Sequence, residues 1–513
     1  MKKRMKIAFV LCLFSFSLLS SMACYASEPI STVAVLSPAI VVSEPARAFS
    51  SIDPLGYKKF KTQYQTRRTM AYVISGEGEL HAIDKDNAEG GQTSAGELWA
   101  YIHEDQTLKL EYLTKSESES LKASGSSLLD VTYYTFDAKI FDERSKAHPQ
   151  AWGTLLLVGM GTNSSQSREH SNRCLLFDIT DPAQTPSLLA EFKHTSMGPC
   201  TSKPTALTLP DAFGGDPLWY LAFGAGQGTL RPGLFFYDLQ TMTLDKEVWL
   251  RQFRPEVKSG HIAGISAADI DQDGLTDLLY FGTIEASRVQ ESGSLYSLTF
   301  TRSLDTATSS RAGKYSSHRE RYMTPQLAKL FAGRGAISHK PLLKRGSEGK
   351  VWLFFSAGSS VYGLIDDFSR QRVSEFQLSS SGVKNRGWVR TLPKNEVFTS
   401  AIVDLGEIIV LNAFRRDCND CSESGLNTLK LYHAFSGEEI TDILADKKQT
   451  RVLAGNLLLD EEGFPRQRID HLISDSALLS LLAIENKSLY GEESKLLGVE
   501  LAEGIRRLSW WQR

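Results

Sequence analysis

The chain of 513 residues lacks the marks of several large protein classes. It has no excess of positive charge: 57 Lys and Arg stand against 60 Asp and Glu, a formal net charge of -3. Such a balance offers no electrostatic footing for nucleic-acid binding. Beyond its first two dozen residues no unbroken apolar run is long enough for a transmembrane helix. The ten histidines are scattered, and no nucleophile stands beside a base in a catalytic pattern. His81, inside Leu80-His81-Ala82, reads as a core residue. Gly159-Met160-Gly161 and Gly224-Ala225-Gly226 are not followed by helical patterns. They read as turns between strands, not as phosphate cradles. Enzyme chemistry therefore has no footing in the sequence.

The N-terminus, by contrast, is explicit. Lys2, Lys3, Arg4 and Lys6 precede an apolar run from Ile7 to about Met22, and Cys24-Tyr25-Ala26 ends in a small residue. This is the layout of a secretory signal over residues 1–26, cleaved near Ala26. Lipidation of Cys24 is an alternative, although Ser21 stands where a lipobox usually has Leu. Four of the six cysteines lie in the body: Cys174, Cys200, Cys418 and Cys421. In an oxidising compartment an even number of cysteines favours disulfides. The spacing of Cys418 and Cys421 also suits redox or zinc chemistry. The surrounding stretch is loop-like, however, and no second ligand pair matches it. The pairing stays open.

Strand signals dominate the body. An apolar strand, a glycine-containing turn and a second strand recur six times, the second strand often closing on Asp. The pairs are Ala71–Ile74 with Leu80–Asp84, Thr154–Gly159 with Leu175–Asp178, and Trp219–Gly224 with Leu234–Asp238. Leu278–Gly282 with Leu295–Leu298, Val351–Phe355 with Val361–Ile365, and Ile408–Leu411 with Leu429–Tyr432 complete the set. Radial repetition of four-stranded sheets produces such a rhythm. The expected fold class is all-β, a β-propeller of about seven blades, with Ala477–Glu485 and Leu496–Leu501 as candidates for the last. A pair of β-sandwiches is the alternative. Residues 114–127 and the basic stretch 306–322 read as solvated loops.

Asp269-Ile270-Asp271-Gln272-Asp273-Gly274-Leu275-Thr276-Asp277 carries the most specific chemistry. Carboxylates occupy positions one, three, five and nine, a glycine permits the turn at six, and the Leu275 carbonyl at seven adds an oxygen. This is the ligand order of a calcium loop. Crowded hard oxygens suit Ca2+ better than softer-ligand metals. Position twelve is Tyr280, not the glutamate of an EF-hand, and the flanks are strand-like. The loop is therefore expected between two strands of one blade.

Read in order, these segments resemble the PilC/PilY family of type IV pilus biogenesis and tip-adhesin proteins. The resemblance rests on Arg67-Arg68 through Asp84, Gly96–Ile102, Trp152–Gly161, Phe177–Pro182, the aspartate loop, Gly387–Pro393, Leu431–Gly437 and Arg506–Trp510. It covers nearly everything after Thr66 and implies a domain layout of signal 1–26, short segment 27–65 and propeller 66–513. It also implies a calcium-binding accessory of pilus biogenesis that promotes extension against retraction, working with minor pilins, with a host or surface receptor at the tip as a further candidate partner. The expected location is the periplasm, the outer-membrane surface or the pilus tip, with membrane association only through these. Some forty residues precede the propeller where the family often has a long N-terminal region. Ser75–Gly78 and Asp137-Ala138 also depart from the family's turns. Two other classes compete: a pilus-independent binding propeller of integrin-like or lectin-like kind, and a quinoprotein dehydrogenase. The second usually has adjacent cysteines, which this chain lacks.

Overall fold

A computed structural model describes residues 40–45, 56–74, 79–84, 97–101, 129–162, 173–302, 323–366, 387–440 and 458–459, apart from short stretches inside the longer ranges. The described residues form six antiparallel sheets, each built from strands that follow one another along the chain. Blade one comprises Ile40–Val42, Met70–Ile74, Leu80–Asp84 and Glu97–Tyr101. Blade two comprises Leu129–Lys139, Trp152–Thr162, Arg173–Asp178 and Ser187–Phe192. Blade three comprises Thr205–Leu209, Leu218–Gly224, Gly233–Asp238 and Thr243–Trp249. Blade four comprises His261–Ala268, Leu278–Ile284, Gly293–Arg302 and Met323–Gly333. Blade five comprises Leu342–Arg345, Val351–Ala357, Ser360–Asp366 and Gly387–Thr391. Blade six runs Glu396–Phe398, Ile408–Arg416, Gly425–His433 and Leu458–Leu459, with Val403–Asp404 also paired to its second strand.

Each of the six strand pairs found in the sequence is the middle pair of one blade. The reason is burial on both faces. In Leu218–Gly224, Trp219, Leu221 and Phe223 pack toward blade two, while Tyr220 and Ala222 pack toward blade four. A strand sandwiched in this way reads as an unbroken apolar run. Apolar clusters fill every interface between successive blades from one to six. That is how sheets too small to bury their own faces reach stability. The third-strand aspartates end their strands by accepting local N–H groups. Asp178 accepts from Thr180 N, and Asp238 accepts from Gln240 N and Thr241 N.

A backbone link repeats around the ring. Ile262 N–H donates to the Ala225 carbonyl, Ile337 N–H to Thr283, and Phe398 N–H to Gly358. In each case the chain entering a blade is tied to the end of the second strand before it. This explains the glycines expected as turns. Gly159 and Gly161 lie inside the strand Trp152–Thr162, and Gly224 closes Leu218–Gly224. A Cβ on Gly159 would stand 2.2 Å from the Cys200 carbonyl oxygen, and one on Gly224 would stand 2.7 Å from Ile262. They are sites of close approach between chain segments, a recognised use of strand glycine.

Ile40–Val42, within the segment 27–65, supplies the first strand of blade one by pairing with Met70–Tyr72. A helix, Tyr57–Tyr64, buries Tyr57, Phe60 and Tyr64 in the core shared by blades two and three. The residues proposed for a seventh blade, the signal segment, and the stretches 114–127 and 306–322 lie outside the described residues. Among the described residues no helix is long and apolar enough to cross a membrane.

Candidate metal centre

The aspartate loop joins the first two strands of blade four, His261–Ala268 and Leu278–Ile284. Its ends are pinned by the sheet: Asp277 N–H donates to the Ala268 carbonyl at 2.9 Å. Within the loop the carboxylates accept backbone N–H groups in turn. Asp271 Oδ1 accepts from Asp273 N at 3.2 Å, Asp273 Oδ1 from Leu275 N at 2.7 Å, and Asp269 Oδ2 from Gly274 N at 2.9 Å. The last bond reaches back across five residues. It needs the tight turn at Gly274, whose φ of 90° is ordinary for glycine and strained for other residues.

This winding brings Asp269, Asp271 and Asp273 together. One carboxylate oxygen from each lies within 4.8 Å of the others, and all three residues are exposed. Asp277 stands outside that trio and accepts the Ile270 N–H at 2.6 Å through Oδ2. Desolvation raises the pKa of its carboxyl, the Ile270 hydrogen bond opposes this, and the charges of Asp271 and Asp273 raise it further. Leu275 contributes its N–H to Asp273. Three of the four expected carboxylates therefore converge, and the fourth braces the loop while feeling their charge.

The loop is also fastened to blade three. Thr276 N–H donates to the Thr208 carbonyl at 2.7 Å, and Thr208 N–H donates to Thr276 Oγ1 at 3.1 Å. Asp269, Gly274, Leu275 and Thr276 line a cavity of about 870 Å³ shared with first strands of blades one, two and three. The acidic loop thus sits beside the axial cavity. Nothing local in the sequence marks Thr276 and Thr208, because their contact joins positions far apart in the chain.

Cys174 and Cys200 are joined as a disulfide across 26 residues, their Cα atoms 5.8 Å apart. It ties the third strand of blade two to the segment leading into blade three. Cys418 and Cys421 lie outside the described residues. His81 is buried in blade one, near Glu79. A polar node with no local mark in the sequence surrounds Arg67, on the approach to blade one's second strand. Its Nη1 donates to Thr154 Oγ1 at 2.9 Å and to the Thr180 carbonyl at 3.0 Å, and its Nε donates to the Ser43 carbonyl. Burial lowers its pKa, an effect opposed by Asp137. Asp137 in turn accepts Tyr57 OH and Thr154 Oγ1, each at 2.6 Å. Arg67 therefore couples blades one and two.

Fold and loop together define the class: an all-β propeller with an acidic loop inside one blade. More particularly, its fold is similar to that of a PilY1 C-terminal domain. The chain superposes on the C-terminal domain of Pseudomonas aeruginosa PilY1 with a TM-score of 0.53 and 17% identity, over 81% of this chain and 92% of that one. It also superposes on the propeller domain of Vanderwaltozyma polyspora Nup133 at 10% identity, over 73% of this chain and 80% of that one. Drosophila Semaphorin 1a aligns at 10% identity over 76% and 79% of the respective chains. The TM-score is 0.35 in both cases, too low to support any inference. No family model matches the chain, and no curated protein sequence matches it.

Proposed function

We propose that this chain is an exported calcium-binding propeller that serves type IV pilus assembly by binding partners. The observation that carries the reading is the convergence of Asp269, Asp271 and Asp273 at the edge of the axial cavity. The ordered motifs shared with the PilC/PilY family and the likeness of fold to the PilY1 domain support it.

The donor set fits Ca2+. It is all oxygen and rich in carboxylate, which suits a large hard cation. The backbone bonds described above use one named oxygen of each of Asp269, Asp271 and Asp273. Those three residues would hold the ion with the Leu275 carbonyl, and Asp277 would complete the set. A bound ion supplies positive charge that offsets the mutual repulsion of the carboxylates. The loop's own residues do the rest: Thr276 holds it to blade three, and Gly274 keeps the turn tight. Binding to the folded loop stabilises the blade junction by linkage. A partner that prefers the ordered junction then binds more strongly with calcium present.

In this reading the partners are minor pilins and the pilus machinery, with a surface receptor as a further candidate. The protein acts in the periplasm, at the outer-membrane surface or at the pilus tip, favouring extension over retraction. Deleting the gene, and separately replacing Asp269, Asp271, Asp273 and Asp277 by Ala, tests it. Surface pili and twitching should fall in both strains. Normal piliation in the deletion strain would overturn the pilus role. Normal piliation in the loop strain alone would overturn the calcium dependence.

A further inference from the structure

We propose that Ser145, His148 and Asp178 form a nucleophile relay that cleaves carboxylic esters, an activity separate from partner binding. Ser145 and His148 lie on the loop that joins the first two strands of blade two, and Asp178 ends the third. The strand Trp152–Thr162 separates them in the chain, so folding assembles the set. Ser145 Oγ lies 2.9 Å from His148 Nδ1, and His148 Nε2 lies 2.8 Å from Asp178 Oδ2. A nucleophile within reach of a base, with the base aligned by a third group, is the arrangement that covalent catalysis needs. Such a set is defined by its distances and roles, whatever the order of its members in the chain.

The imidazole is held from three sides. Phe141 stacks on it, with the ring centres 3.7 Å apart and the planes 11° from parallel, while Ser145 and Asp178 engage its two nitrogens. The backbone of the loop is drawn tight around it. His148 N–H donates to the Ser145 carbonyl at 3.3 Å, and Ala151 N–H donates to the His148 carbonyl at 2.9 Å. Gln150 and Ala151 take φ values of 58° and 65°, a strained conformation for residues with a Cβ. Ile140 and Phe141 N–H both donate to the Ala151 carbonyl and hold the strained pair in place. Asp178 is aligned as well: its Oδ1 accepts the Thr180 N–H and hydroxyl, and its Oδ2 faces His148. A carboxylate at Nε2 keeps the proton on that nitrogen, so Nδ1 offers its lone pair to the serine. A brace between loop and strand would need only the His148–Asp178 bond. The hydroxyl on the other nitrogen goes beyond that need, and Ser145 is half-buried, within reach of solvent.

The step balances without a redox partner. Ser145 Oγ attacks the ester carbonyl carbon and its proton passes to His148 Nδ1, while the Asp178 carboxylate stabilises the imidazolium. Nδ1 returns that proton to the departing alkoxide as its C–O bond breaks, which leaves acyl-Ser145 and an alcohol. Water then attacks the acyl carbon and gives a proton to Nδ1. The Ser145–acyl bond breaks, the serine recovers that proton, and a carboxylic acid leaves. Lys146 N–H directly follows the nucleophile, a position from which hydrolases draw one oxyanion donor. No bond among the described residues uses it. Gln63 Nε2 donates to the Lys146 carbonyl at 3.1 Å, so helix Tyr57–Tyr64 lies against the loop. Beside it, Gly56, Lys58, Lys59, Thr62, Gln63 and Gln150 line an open cavity of about 620 Å³, room for a small ester.

The test uses the full exported chain with two probes, a fluorophosphonate and p-nitrophenyl acetate. Mass spectrometry should place the phosphonate on Ser145 and on no other serine. Ser145→Ala should remove both the label and all ester hydrolysis above the slow background from surface amines. His148→Gln should lower kcat at least about a hundredfold. Asp178 is a positioning residue, so Asp178→Asn should lower kcat with KM unchanged, whereas a loop that had merely loosened would raise KM. Circular dichroism keeps a folding defect distinct from a catalytic one, and Ser145→Ala, in an exposed loop, supplies the variant expected to fold normally. An unlabelled Ser145 in the folded parent protein would overturn the proposal. Equal hydrolysis in the parent and in Ser145→Ala would overturn it too, and a rise in KM alone in Asp178→Asn would remove that residue from the relay.

Discussion

The two sides of blade three are joined to their neighbours by different chemistry. Toward blade two the junction is covalent, through Cys174–Cys200, and Gly159 lets Cys200 sit directly against the strand. Toward blade four it includes a pair of threonine hydrogen bonds that hold the aspartate loop. The first tie is indifferent to ions. The second holds a loop with three carboxylates within 4.8 Å, so its strength depends on what neutralises them. On the proposed reading, the first junction is fixed and the second responds to calcium.

The largest way to break this contrast acts on the covalent side. Replacing Cys174 and Cys200 together by Ser should lower stability by about 3–4 kcal/mol, the chain-entropy value for a loop of this length. Urea denaturation checks it, and added calcium should shift the midpoints of both proteins equally. A loss that calcium repairs would mean that the two junctions are one unit.

A smaller effect is expected at Asp178 in blade two. Its carboxylate accepts from Thr180 and lies 2.8 Å from His148 Nε2. Burial would raise its pKa, but the bonds from His148 and Thr180 outweigh this and hold it below the usual carboxylate range. The stability it contributes is therefore complete above a pH of about 4, the unfolded carboxylate value, and fades as pH falls through the lower folded value. Asp178→Asn should cost about 1–3 kcal/mol near neutrality. The gap from the parent protein should close in acid; a gap constant with pH would contradict the assignment.

Gly274→Ala sharpens the loop side. A Cβ there meets nothing within 4 Å, so only the φ of 90° resists it. The expected cost is about 1–2 kcal/mol in thermal denaturation, from backbone strain alone. Smallest is Thr276→Val, which removes one hydrogen bond to blade three and should cost about 1 kcal/mol. Its calcium affinity should also fall, whereas the disulfide variant's should not.

Much of this architecture was legible in the sequence, and the limits have physical reasons. Middle strands such as Leu234–Asp238 are buried on both faces and declare themselves as apolar runs. The outer strand Ser187–Phe192 is mostly half-exposed, and Ile40–Val42 has three residues, so neither carries a strong local signal. The run Gly159–Gly161, expected as a turn, lies inside a strand because a close approach between blades and a turn call for the same residue. The convergence of Asp269, Asp271 and Asp273 was legible since their spacing lies within nine consecutive residues. Thr208 and Arg67 were not, because folding alone brings their partners to them. The disulfide candidates named four cysteines but no pairing, and Cys174 with Cys200 is the pair the described residues contain.

Calorimetric titration of calcium into the chain, alongside an Asp269→Asn, Asp273→Asn variant, tests the central claim most directly. The account predicts one saturable site in the parent protein and none in the variant, with both folded. No binding in the parent, or equal binding in the two, would contradict it.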